Sequence, residues 1–145
     1  MLEYQITARV APPGTATAVT NQSEVMFDAT SGRDEVLPNP AELLLTSLSA
    51  CILKNVQRYS EILKISYRSA KITVKGIRND NPPYMKEISY KLEIDTDADE
   101  RKIANWHKNI LKFGTITNTL MRACEVKGEM IKTITSKAPN GARIN

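Results

Sequence analysis

Between Tyr4 and Val10 the residues Tyr4, Ile6, Ala8 and Val10 share one parity, while Gln5, Thr7 and Arg9 share the other. This period of two marks a half-buried strand. "APPGT" breaks the chain, and two short strands are expected over Ala16 to Thr20 and Glu24 to Ala29, separated by the polar turn "NQS". Together they make a small antiparallel meander. "TSGRDEVLPNP" is a loop by composition and ends in a helix-start signal. Asn39 can cap, and Pro40 at the first helical position gives up an amide that would have no helical partner. The helix then runs to about Leu63. About 100° per residue puts Pro40, Leu44, Ser47, Leu48, Cys51, Asn55 and Arg58 on one face, apolar at its start and polar towards its end. Cys51 lies where that change occurs.

A hairpin follows: Ala70, Ile72 and Val74 alternate with Lys71, Thr73 and Lys75, and beyond the turn "RNDNPPY" Ile88, Tyr90, Leu92 and Ile94 alternate with Glu87, Ser89, Lys91 and Glu93. The acids of "DTDADERK" suit a helix N-terminus, and the helix continues through "IANWHKNILK". Phe113-Gly114-Thr115 interrupts it, a short helix "ITNTLMRA" follows, and "CEVKGEMIKTI" is the last strand. The order predicts an α+β fold with a mainly antiparallel sheet. Leu43, Leu44, Leu45, Leu48, Ala50, Ile52 and Leu53 cover more of the long helix than the ~100° arc that one sheet buries. A homodimer is therefore expected, with its helices packed between sheets.

Composition narrows the function classes. The 145 residues are 41% hydrophobic and 25% charged, ordinary for a globular chain. They are expected to form one domain over residues 1–135 and a flexible tail over 136–145. No run approaches the ~20 apolar residues of a membrane span. The strand-like N-terminus lacks the pattern of a signal peptide, so a cytoplasmic location is expected. A net charge of +4 from scattered basic residues, without interleaved aromatics, does not point to nucleic acid. Cys51, Cys124 and the single His107 cannot supply a common four-ligand zinc set. His107, beside Trp106, reads as a surface or interface residue. The two cysteines are either inert core residues or a redox pair.

"NPAELLLTSLSAC" resembles the Asn-Pro-x-Glu-Leu-Leu run, ending in cysteine, of the OsmC family, which includes the organic hydroperoxide resistance proteins. "IRNDNPPYMKEISYKLEI" is similar to its central hairpin, and "ILKFGTITNTLMRACEVKGEM" to its closing helix and strand. The resemblance covers about Asn39 to Ile131. It implies an OsmC-like α+β fold, antiparallel sheets wrapped around long central helices in an intertwined homodimer. It also implies thiol-based, cofactor-free reduction of organic hydroperoxides. In that chemistry a cysteine of the central helix, here Cys51, becomes a sulfenic acid, and a second cysteine condenses with it to a disulfide that a dithiol reduces.

Two positions depart from the pattern. Gly114 stands where the family keeps its resolving cysteine, which leaves Cys124 as a candidate resolving thiol and an external thiol or dithiol as the alternative reductant. Ala41 stands where the peroxidases keep a glutamate that holds an arginine against the thiolate. Glu42 is next in line, although nine residues before Cys51 is the opposite side of an ideal helix. Arg33 in "SGRDE" is the candidate activating cation, from its own or the partner subunit, with Lys54 and Arg58 as further cations. Two functions stay open: a hydroperoxide reductase working through Cys51, and a non-catalytic dimer that binds a small ligand and keeps Cys51 as a structural or redox-sensing group.

Overall fold

The structure is a computed structural model and describes residues 1–133. The tail expected at 136–145 lies outside the described residues. The chain falls into two compact units, Met1–Thr46 and a second that begins at Ser47.

In the first unit β1 (Thr7–Ala11), β2 (Thr15–Thr20) and β3 (Ser23–Asp28) form the expected antiparallel meander, in the order β1-β2-β3. β1 starts three residues later than its alternation suggests. Pairing begins at Thr7↔Val19, and in that register the last residue of β2, Thr20, falls opposite Ile6, so Tyr4 lies beyond the end of β2. Every residue of β1 is exposed in the single chain, where the alternation had suggested a half-buried strand. The β1–β2 turn depends on Gly14, whose φ of +137° few side chains tolerate; a Cβ there would stand 2.6 Å from the Thr30 Cα. The following loop is tied down by Asp28. Its carboxylate accepts from the Asp34 amide (2.8 Å), the Thr30 hydroxyl (2.6 Å) and the Thr30 amide (2.8 Å). These bonds, the Asp34 amide foremost, hold the carboxyl below its usual range.

α1 (Pro40–Leu63) has the expected bounds. Its start is a capping box: the Asn39 side chain accepts from the Glu42 amide (2.9 Å), and the Glu42 carboxylate accepts from the Asn39 amide (3.1 Å).

In the second unit β4 (Ser69–Asp80) and β5 (Pro83–Asp95) form the long hairpin, with a bulge at Ile77/Arg78. α2 (Glu100–Lys112) is capped by Asp99, which accepts from the Lys102 amide at 2.8 Å, and α3 (Thr115–Met121) follows. β6 (Glu125–Thr133) then pairs with β5 in parallel, one parallel pair in a sheet expected to be mainly antiparallel. The crossover through α2 and α3 carries the chain back to the starting end of β5, so β6 must run the same way. The core joins Ile88, Leu92 and Ile94 of β5, Leu48, Ile52 and Val56 of α1, and Ile103, Trp106 and Ile110 of α2. Even spacings in the strand and spacings of three or four in the helices bring each set to one face. Among the described residues no helix is long and apolar enough to cross a membrane.

Candidate functional site around Cys51

Two buried polar side chains of the second unit fix α1 against α2. The Trp106 indole donates to the Val56 carbonyl (3.1 Å), and the Asn55 amide donates to the Ile110 carbonyl (3.3 Å). Position falls along α1 as it rises along α2, so the helices run antiparallel here. One turn before Asn55 lies Cys51, and one turn beyond Ile110 lies Gly114. The half-buried Cys51 sulfur is accordingly met by the start of α3.

The Cys51 Sγ lies 3.8 Å from the Thr117 Oγ1. A Cβ built on Gly114 would stand 3.1 Å from that sulfur and 2.8 Å from the Thr117 hydroxyl. Gly114 has φ −84° and ψ 117°, ordinary extended backbone, so space and not conformation is what a side chain would lack there. Thr117 is fully buried. Sequence reasoning marked Gly114 as a departure from a family pattern and missed Thr117. The available signal was the three-residue spacing, which puts Gly114 and Thr117 on one side of a helical turn.

The other candidates are placed as follows. Cys124 lies between α3 and β6, one residue before the strand expected to begin with it, and its amide donates to the Leu120 carbonyl (2.9 Å). It is a free thiol, and burial pushes its pKa up, away from the thiolate. Arg33 and Glu42 line one cleft of about 250 Å³ in the first unit, together with Asp34, Glu35, Val36 and Pro38. The Glu42 carboxylate there belongs to the capping box. Lys54 and Arg58 are exposed. His107 is half-buried rather than a surface group: its Nε2 shares a hydrogen bond with the Tyr90 hydroxyl, and burial lowers its pKa. The same burial pushes Tyr90 up to about 12. The Tyr90 ring packs over Gly128, where a Cβ would collide with it. Among the described residues no group of three or more His, Cys, Asp or Glu is placed to hold a metal ion.

A free cysteine presented by a long helix within an α+β scaffold, with a buried hydroxyl beside its sulfur, defines a thiol site. The profile of the OsmC-like protein family matches residues 32–129, and the chain belongs to that family. A protein named hydroperoxide reductase from Mycoplasma genitalium is 26% identical over 122 residues, 81% of this chain and 86% of that one. The crystal structure of an OsmC-like protein from Mycoplasma pneumoniae matches with a TM-score of 0.83 at 22% identity, over 91% of this chain and 98% of that one. An organic hydroperoxide resistance protein from Legionella pneumophila matches with a TM-score of 0.72 at 15% identity, over 90% and 98%. These likenesses establish the OsmC-like α+β fold.

Proposed function

We propose that the protein is a thiol-dependent reductase of organic hydroperoxides that works through Cys51 in a one-cysteine cycle. The observation that carries this reading is the position of the Cys51 sulfur against Gly114: a reactive thiol's place is filled and its resolving partner's place is empty. The name of the Mycoplasma genitalium relative supports the substrate class. The Cys51 thiolate attacks the outer oxygen of ROOH, an S–O bond forms and the O–O bond breaks. The hydroperoxide's own hydrogen stays on the transferred oxygen as the sulfenic acid, and the alkoxide leaves as the alcohol with a proton from solvent. An external thiol then forms a mixed disulfide with Cys51 and releases water. A second thiol, or the other arm of a dithiol, restores the cysteine. The cysteine itself carries the oxygen, so the cycle calls for no bound cofactor.

Arg33 is proposed as a cation near the thiol in a homodimer, with Glu42 beside it in its cleft. The dimer reading is supported by apolar side chains that one chain leaves exposed: Val10, Val19, Val25 and Met26 of the first sheet, and Leu44 of α1. The test is consumption of cumene hydroperoxide with excess dithiothreitol. Wild type is expected to turn over, and Cys51→Ser to fall to the uncatalysed rate. Equal consumption by both proteins would refute Cys51 as the reacting thiol, and none by either would leave the ligand-binding dimer as the reading.

A further inference from the structure

We propose that the Thr117 hydroxyl is the hydrogen-bond donor that holds the Cys51 sulfur as a thiolate, and that Gly114 is the residue that lets it reach. The inference rests on Cys51 being the reacting thiol of the proposed cycle. Helical threonines commonly return their hydroxyl to the carbonyl four residues back. Thr46 does so to Glu42 and Thr119 does so to Thr115, each at 2.8 Å. Thr117 does not. Among the described residues its hydroxyl has the Cys51 sulfur as its one hydrogen-bond partner, although the side chain is completely buried. A buried hydroxyl with no carbonyl of its own helix to return to is left to the sulfur that the tertiary fold brings against it.

The contact changes character with the charge of the sulfur. Beside a neutral thiol either atom can donate, and at 3.8 Å the contact is long. A thiolate accepts only, so the hydroxyl must turn its hydrogen to the sulfur, and a charge-assisted bond draws the pair closer. The donor therefore favours the ionised form, adding to the charge of the proposed Arg33 cation. Gly114 is required because its Cβ would come 2.8 Å from the hydroxyl and 3.1 Å from the sulfur, crowding both ends of the bond. Once the sulfur carries oxygen, the same donor can serve the sulfenate while the external thiol approaches. In this chain a hydroxyl donor stands where a resolving sulfur would otherwise crowd in.

The test needs no hydroperoxide. Reduced wild type, Thr117→Val and Thr117→Ser are alkylated with iodoacetamide across the neutral and alkaline range, and modification at Cys51 is followed by peptide mass spectrometry. The valine variant keeps the shape and loses the donor. It is expected to react about tenfold more slowly at pH 7, equivalent to ~1.4 kcal/mol, and to recover the wild-type rate at alkaline pH. The serine variant, which keeps the donor, is expected to stay within about twofold of wild type. A valine variant that matches wild type at every pH overturns the assignment. So does a serine variant as slow as valine, because the missing methyl would then be the cause. If the valine variant does not fold, Thr117→Ala is judged by the same criteria. A slow valine variant in a protein that consumes no hydroperoxide leaves Thr117 assigned and removes the peroxidase reading. Turnover that valine leaves unchanged, with unchanged alkylation, does the reverse.

Discussion

Gly114→Cys should convert a one-cysteine site into a two-cysteine site. In a disulfide one cysteine's Cβ stands about 3 Å from the other's sulfur, as follows from an S–S bond of ~2.05 Å. The Cβ position at Gly114 is 3.1 Å from the Cys51 Sγ, so the new thiol can reach bonding distance without movement of the backbone. The obstacle is the Thr117 hydroxyl, 2.8 Å from the same Cβ, which has to rotate or retreat by a few tenths of an ångström. The bond would close a loop of about 60 residues, for which chain entropy alone gives ~4 kcal/mol of stabilisation, less whatever the displaced Thr117 costs. That corresponds to a rise in Tm on the order of 10 °C for a chain of this size. One equivalent of cumene hydroperoxide should leave the variant two hydrogens lighter by intact mass, with peptide mapping placing the bond between positions 51 and 114. Wild type should instead gain one oxygen. If the variant also gains only oxygen, Gly114 does not occupy a resolving position and the reasoning fails. If wild type loses two hydrogens, Cys51 pairs with Cys124 and the one-cysteine cycle is refuted.

Gly14→Ala should cost about 2–4 kcal/mol in urea unfolding, since the new Cβ meets Thr30 backbone and the residue must hold a φ that alanine avoids; a loss well under 1 kcal/mol would show that the turn is not held as described. His107 gives a pH signature whose sign is fixed by burial. Its folded pKa lies below the ordinary 6.5, so as pH falls below that value the unfolded chain takes up a proton that the folded chain resists. The stabilisation from the neutral ring is complete above pH 6.5 and is lost as pH falls towards the folded pKa. Unfolding free energies at pH 7.5 and 5.5 should therefore differ more in wild type than in His107→Gln, and equal differences would count against a buried neutral imidazole paired with Tyr90.

Much of the fold was legible in the sequence because its signals are local. Asn39, Pro40 and Glu42 carry the start of α1 within four residues, and all three act at that helix end. The alternation of Ile88, Tyr90, Leu92 and Ile94 carries the buried face of β5. What was missed depends on partners distant in sequence. Period-two alternation is the same for a strand running either way, so the parallel pairing of β6 had to come from its crossover. Asp95 is buried because Arg68, 27 residues earlier, binds it at 2.7 Å, which no local pattern announces.

The site shows the same division more sharply. Cys51 stood out by family resemblance, yet what the resemblance led one to look for was charge: a glutamate, an arginine and a second thiol. Of these, Arg33 and Glu42 line a cleft of the first unit, and the resolving position is a glycine. The atoms that meet the sulfur within the second unit come instead from Gly114 and Thr117, two residues with no catalytic signature of their own. Their significance is joint. A larger residue at 114 would crowd the hydroxyl, and a residue without a donor at 117 would remove the sulfur's one hydrogen-bond partner among the described residues. The absence of a resolving cysteine is therefore tied physically to the presence of a neutral donor, because both claim the same few ångströms beside Cys51. Substituting either residue tests the other: Gly114→Cys must displace the Thr117 hydroxyl to make its disulfide, and Thr117→Ser, smaller by a methyl group, should ease that displacement.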